Sequence, residues 1–122
     1  MIKKFFLAVV CIFFSCKEKQ SDGIKVVGVN EFSEVIDSEN VQILDVRTPS
    51  EVANGKIDKA IEINFFDKNF KQQVAKLDKN KVVVVYCKAG GRSNKAAHIL
   101  NKMGFKEVYD LDGGYTSWKK KK

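Results

Sequence analysis

Val82-Val83-Val84-Val85-Tyr86 is apolar at every position, with no alternation. A strand of that composition has to be covered on both faces, which is the condition of a central strand in a parallel sheet with helices packed on each side. The pattern predicts such a strand over residues 81–86, and it ends at once in Cys87-Lys88-Ala89-Gly90-Gly91-Arg92-Ser93. In open α/β sheets ligands sit beyond the carboxyl ends of the strands. Cys87 falls at that place.

The rest of the chain alternates in the way this strand requires. Strands are expected over residues 25–29, 41–46, 60–64 and 107–111. Helices are expected over residues 30–36 with Asn30 as cap, 67–77, and 93–103 closed by Gly104, with a terminal helix beginning at 114–118. Thr48-Pro49-Ser50-Glu51 reads as a capping box with proline at the first helical position, and Gly55 ends the short helix that follows. The expected fold class is α/β, with a mainly parallel sheet of about five strands.

The loop after the central strand carries the chemistry. Gly90 and Gly91 permit a tight turn whose backbone N–H groups converge on an anion, and the helix behind it adds positive charge. Lys88 and Arg92 supply full charges, Arg92 as a planar fork suited to oxyanions. Such a cradle favours a thiolate, an anionic persulfide or a bound oxyanion. A buried, inert cysteine is the bland alternative, and the flanking glycines and cations count against it. His98 lies mid-helix and reads as surface or packing. One histidine and one cysteine in the domain fall short of a metal ligand set, and the loop lacks the spacing of a nucleotide-binding loop, so neither metal nor cofactor is expected.

The segment resembles the active-site loop of rhodanese-type sulfurtransferases: a strand, Cys, four residues, Arg and then a helix. Leu44-Asp45-Val46-Arg47-Thr48-Pro49-Ser50-Glu51 is similar to the family's Asp-x-Arg segment. The stretch from Gly55 through Lys56-Ile57 to Ala60-Ile61-Glu62-Ile63-Asn64 is similar to its Gly-His-Ile…Ala-Ile-Asn-Ile segment. Gly113-Gly114-Tyr115-Thr116-Ser117-Trp118 is similar to its closing segment. Lys56 stands where the family often has His, and Lys59 where it has a small residue. The resemblance implies a rhodanese-like fold with Cys87 as catalytic nucleophile. It implies that Lys88, Ala89, Gly90, Gly91, Arg92 and Ser93 bind the substrate, with Lys88 and Arg92 orienting the donor's anionic end, and that Asp45 and Arg47 are structural supports. A sulfane sulfur from a small donor such as thiosulfate would be taken onto Cys87 as a persulfide and passed to a thiol or to cyanide. Six residues from Cys87 through Arg92 go with sulfur transfer in this family, whereas related phosphatases and arsenate reductases have a longer loop. A sulfur-carrier or redox-binding module that needs a partner, a phosphatase-like or arsenate-reducing enzyme, and an interaction protein with an inactive loop are the alternatives.

The chain begins with Met1-Ile2-Lys3-Lys4, followed by ten apolar residues, Phe5 to Phe14. That run makes about 15 Å of helix against a bilayer core of about 30 Å, too short to span and laid out like a secretory signal. Phe13-Phe14-Ser15-Cys16 resembles a bacterial lipobox, with Phe13 where Leu is usual. Residues 1–15 are therefore read as a signal peptide and 16–23 as a lipidated N-terminus and tether. Residues 24–118 are read as the domain and 119–122 as a basic tail. A lipoprotein held to a membrane through lipid on Cys16, facing the periplasm or outer surface, follows from that reading. Removing Lys3, Lys4 and Lys119 to Lys122 leaves sixteen basic against fifteen acidic residues, so the net charge of +7 does not describe the domain. No nucleic-acid partner is expected.

Overall fold

A computed structural model describes residues 23–121. The expected signal peptide, Cys16 and all of the tether but Gly23 lie outside the described residues, as does Lys122. Five strands form one parallel sheet: β1 (Ile24–Val27), β2 (Val41–Asp45), β3 (Ile61–Glu62), β4 (Val82–Tyr86) and β5 (Val108–Leu111), in the order β1-β5-β4-β2-β3. Five helices connect and flank them: α1 (Val29–Ile36), α2 (Pro49–Val52), α3 (Phe70–Val74), α4 (Gly91–Lys102) and α5 (Gly114–Lys121). Among the described residues no helix is long and apolar enough to cross a membrane.

β4 is central and explains its own composition. Successive side chains of a strand point to opposite faces. Val83, Val85 and, just beyond the strand, Cys87 enter the core shared with Phe70, Val74, Ala96, Ala97 and Leu100 of α3 and α4. Val84 and Tyr86 enter the core on the other face, with Phe32 of α1 and, partly buried, Tyr115 and Trp118 of α5. Phe32 meets Tyr86 and Trp118 edge-on, at 6.5 and 6.1 Å between ring centroids. The period-2 alternation thus aims Cys87 at the first turn of α4.

Several elements differ from their expected bounds for local reasons. α1 starts at Val29 with Gly28 as its cap; Asn30 lies inside the first turn, where its Oδ1 accepts from Lys121 Nζ. β3, at one edge of the sheet, is only two residues long, although Ile63 and Phe65 continue to donate backbone hydrogen bonds to Asp45 and Val46. α3 is limited to Phe70–Val74, and the flanking segments close as turns, with Phe70 N–H donating to Asp67 and Leu77 N–H to Val74. α4 starts two residues before Ser93, since Gly90 at φ +119° turns the chain early and Asn94 N–H bonds the Gly90 carbonyl. Gly91 is the first residue of α4, so Gly90 supplies the loop's left-handed conformation by itself. α5 runs past Trp118 to Lys121, which makes Lys119, Lys120 and Lys121 its last turn.

Candidate active site

Cys87 is 1 % exposed and is the single cysteine among the described residues. Its Sγ lies at the base of the loop, accepting from Gly90 N–H at 3.0 Å and Ser93 N–H at 3.3 Å. The first N–H groups of an α-helix have no intrahelical acceptor. The early start of α4 brings one of them, from Ser93, to the sulfur, alongside the positive end of the helix.

The opposite wall of the loop is held by α5. Tyr115 N–H donates to the Cys87 carbonyl at 2.8 Å and Thr116 N–H to the Lys88 carbonyl at 3.1 Å. Gly114, at φ +59°, permits this approach: a Cβ there would stand 2.5 Å from the Lys88 carbonyl carbon and oxygen and 2.6 Å from the Cys87 oxygen. The Gly113-Gly114-aromatic motif is therefore a docking surface for the cysteine loop, a role its sequence did not state.

Lys88 and Ala89 are exposed at the rim, Gly91 is exposed and Gly90 half-buried. Lys88 borders a cavity of about 190 Å³ shared with Arg47, Glu51, Tyr115, Thr116 and Lys119. A larger cavity, about 690 Å³, is lined by Ile36, Ile43, Lys56, Ile57, Tyr115 and Trp118 among others, and by no residue of the cysteine loop.

Arg92, expected to orient the donor, has both terminal nitrogens on Glu51, at 2.7 Å to Oε1 and 3.0 Å to Oε2. Glu51 is also the reciprocal member of the capping box, its Oε1 accepting from Thr48 N–H at 2.9 Å. The clamp joins the cysteine loop to α2 and neutralises much of Arg92's charge. Arg92, with a smaller contribution from Thr48, holds the Glu51 carboxyl down at about 2. A carboxyl lowered on folding stabilises the fold above its unfolded value, and that contribution disappears as pH falls toward the folded value. Glu51→Gln is therefore expected to lower stability by about 1 kcal/mol at neutral pH. Urea unfolding at a series of pH values should show the difference shrinking between the ordinary 4.5 and about 2.

Asp45 and Arg47, expected as structural supports, form a buried ion pair that Tyr86 joins. Asp45 is 0 % and Arg47 4 % exposed. Arg47 Nη2 and Nε lie 2.7 and 3.2 Å from Asp45 Oδ2, and the Tyr86 hydroxyl donates to the same oxygen at 2.6 Å. The Arg47 guanidinium sits 4.3 Å from the Tyr115 ring centroid and donates to the Gly55 carbonyl at 2.8 Å. Burial, with the neighbouring Asp45, raises the Tyr86 phenol far above its ordinary range, so it stays a donor. This network fixes the end of β4 immediately before Cys87.

Sequence reasoning missed Asp110, which is 2 % exposed on β5 behind Ser93. The signal available was one carboxylate in an otherwise apolar and aromatic strand, Val108-Tyr109-Asp110-Leu111.

A family model described as a rhodanese-like domain matches residues 28–121. Thiosulfate sulfurtransferase GlpE of Shewanella oneidensis is 35 % identical over 94 residues, covering 77 % of this chain and 91 % of its own length. A tRNA uridine(34) hydroxylase of Aster yellows witches'-broom phytoplasma is 38 % identical over 74 % of this chain, which spans only 30 % of that protein. Among solved structures, a rhodanese-related protein from Thermoplasma volcanium superposes with a TM-score of 0.70 at 28 % identity, covering 80 % of this chain and 92 % of that one.

Proposed function

The chain belongs to the rhodanese-like domain family, and from that premise we propose that it is a sulfurtransferase carrying a sulfane sulfur on Cys87. The observation that supports this reading is the sulfur itself, seated under a six-residue loop with the Gly90 and Ser93 amides directed at it. Cys87 as thiolate attacks the outer sulfur of thiosulfate or a similar donor. A new S–S bond forms, the donor's S–S bond breaks, and its electron pair leaves with sulfite. The persulfide anion remains under the loop amides. A thiolate or cyanide acceptor then takes the outer sulfur and Cys87 leaves as thiolate, so the cycle needs neither metal nor redox cofactor. The near-complete burial of Cys87 favours a narrow donor over a bulky one.

A covalent intermediate predicts ping-pong kinetics: initial rates with thiosulfate and cyanide should give parallel double-reciprocal lines. Intersecting lines, or no turnover with any sulfane donor, would count against the reading. Hydrolysis of an aryl phosphate would instead promote the phosphatase alternative, which the short loop disfavours.

Export belongs to the same proposal and rests on residues 1–16 alone. Labelling cells with a radioactive fatty acid should mark the wild-type protein and not Cys16→Ala; equal labelling of both would remove lipidation from the proposal.

A further inference from the structure

Cys87, Ser93 and Asp110 are connected in a line. Ser93 Oγ lies 3.5 Å from Cys87 Sγ and 2.6 Å from Asp110 Oδ1. All three residues are buried, and nothing in the sulfur-transfer chemistry above uses Asp110. Asn94 Nδ2 donates to Asp110 Oδ2 at 3.3 Å. The other titratable groups facing Asp110 are Asp112, whose negative charge opposes ionisation, and His98, whose positive form would favour it; burial is the largest influence and favours the neutral acid. The Gly90 carbonyl, 3.2 Å from Ser93 Oγ, is a second acceptor for that hydroxyl.

A serine hydroxyl has one proton and two lone pairs. While Asp110 is ionised, the short contact holds that proton on the Asp110 side, and Oγ presents a lone pair to the sulfur. In this state Ser93 accepts from a thiol and cannot donate to a thiolate. When Asp110 is protonated it donates to Oγ, and the serine's own proton is released to turn toward an anionic sulfur.

We propose that Asp110 is a positioning residue for Cys87, acting through the Ser93 hydroxyl as a two-state proton switch. The inference rests on the reading of Cys87 as the nucleophile. In the forward direction the S–H bond breaks and its electron pair stays on sulfur. The proton joins Ser93 Oγ, whose own proton passes to Asp110 Oδ1. The products are a thiolate and a neutral buried acid, with no oxidant, reductant or external base consumed. The thiolate then has three donors: Gly90 N–H, Ser93 N–H and Ser93 O–H. A buried pair that shares a proton titrates in two coupled steps.

The test is the rate of Cys87 alkylation by iodoacetamide from about pH 5 to 10, measured on wild type, Asp110→Asn, Ser93→Ala and the double variant. Because Asn94 donates to the Oδ2 side, the introduced amide places its oxygen there and turns its NH2 toward Ser93. Asp110→Asn therefore mimics the protonated acid. Wild type should show two inflections. Asp110→Asn should show one, displaced to lower pH and giving about tenfold faster alkylation on its acid side. In the Ser93→Ala background the same substitution should change the rate less than about threefold. Superimposable profiles for wild type and Asp110→Asn would overturn the switch. So would an equal displacement with and without Ser93, which would mean that charge acts directly through space. Asp110→Asn should melt no lower than wild type, since it removes a buried carboxylate without changing shape. Alkylation needs a reachable thiolate and no sulfane donor, so a failed switch and a failed sulfur-transfer reading separate: the second is scored by persulfide formation on the wild-type protein.

Discussion

Replacing Cys87 with serine is expected to lower the proposed sulfur transfer from thiosulfate by at least about a thousandfold while leaving the fold in place. The hydroxyl is nearly isosteric with the thiol and would accept from the same Gly90 and Ser93 amides. It is not ionised at neutral pH and forms no stable linkage to a sulfane sulfur. The change in unfolding free energy should stay within about 1 kcal/mol, because the site keeps its shape and its donors. Steady-state rates and urea unfolding of the same preparation separate the two effects. A Cys87→Ser protein that keeps more than about a tenth of wild-type activity would place the transferred sulfur on some other group.

The second large effect is on stability. Asp45→Ala should cost about 3–5 kcal/mol, because it strands a buried guanidinium. Asp45 accepts from Arg47 Nε, Arg47 Nη2, the Arg47 backbone N–H and the Tyr86 hydroxyl. Alanine would leave Arg47 with the Gly55 and Glu51 carbonyls and the Tyr115 ring, and Tyr86 without its acceptor. Against a typical total of about 5–15 kcal/mol, such a loss is a large fraction of the fold. Thermal unfolding should show a midpoint at least about 10 °C lower. A shift of only a few degrees would mean that water or rearrangement replaces the carboxylate, and that the network is not what fixes the end of β4.

The sheet and the placing of Cys87 at the end of its central strand were legible in the sequence because each rests on a local and redundant signal. Five consecutive apolar residues allow little besides a covered strand, and β4 lies within one residue of its expected bounds. The capping box at Thr48 through Glu51 is present with both of its hydrogen bonds. Strand β3 and helix α3 are shorter than expected, since composition does not show how far strand pairing will run or that a helical turn will close early. The start of α4 depends on the left-handed Gly90, and the side on which such a glycine turns the chain is a backbone property with no periodicity to read.

Partnerships across the fold were the least legible. Arg92 and Glu51 are 41 positions apart, and each has a sufficient local explanation alone: loop cation and capping acid. Tyr86 and Asp45 are equally distant, and Tyr86 read only as the last apolar residue of a strand. Asp110 gave a weaker hint, one acid in a buried strand, and its significance exists only once parallel pairing sets β5 beside β4 and α4 over both. Gly114 belongs to a sequence motif, but the reason for a glycine there is a carbonyl pair from the loop that precedes α4.

The most direct measurement is intact mass of the purified protein after incubation with thiosulfate, followed by peptide fragmentation. A gain of about 32 Da located on Cys87, and removed by cyanide or by a thiol, is the expected result. An unchanged mass with thiosulfate and with every other sulfane donor, or an added sulfur located on a different residue, would contradict it.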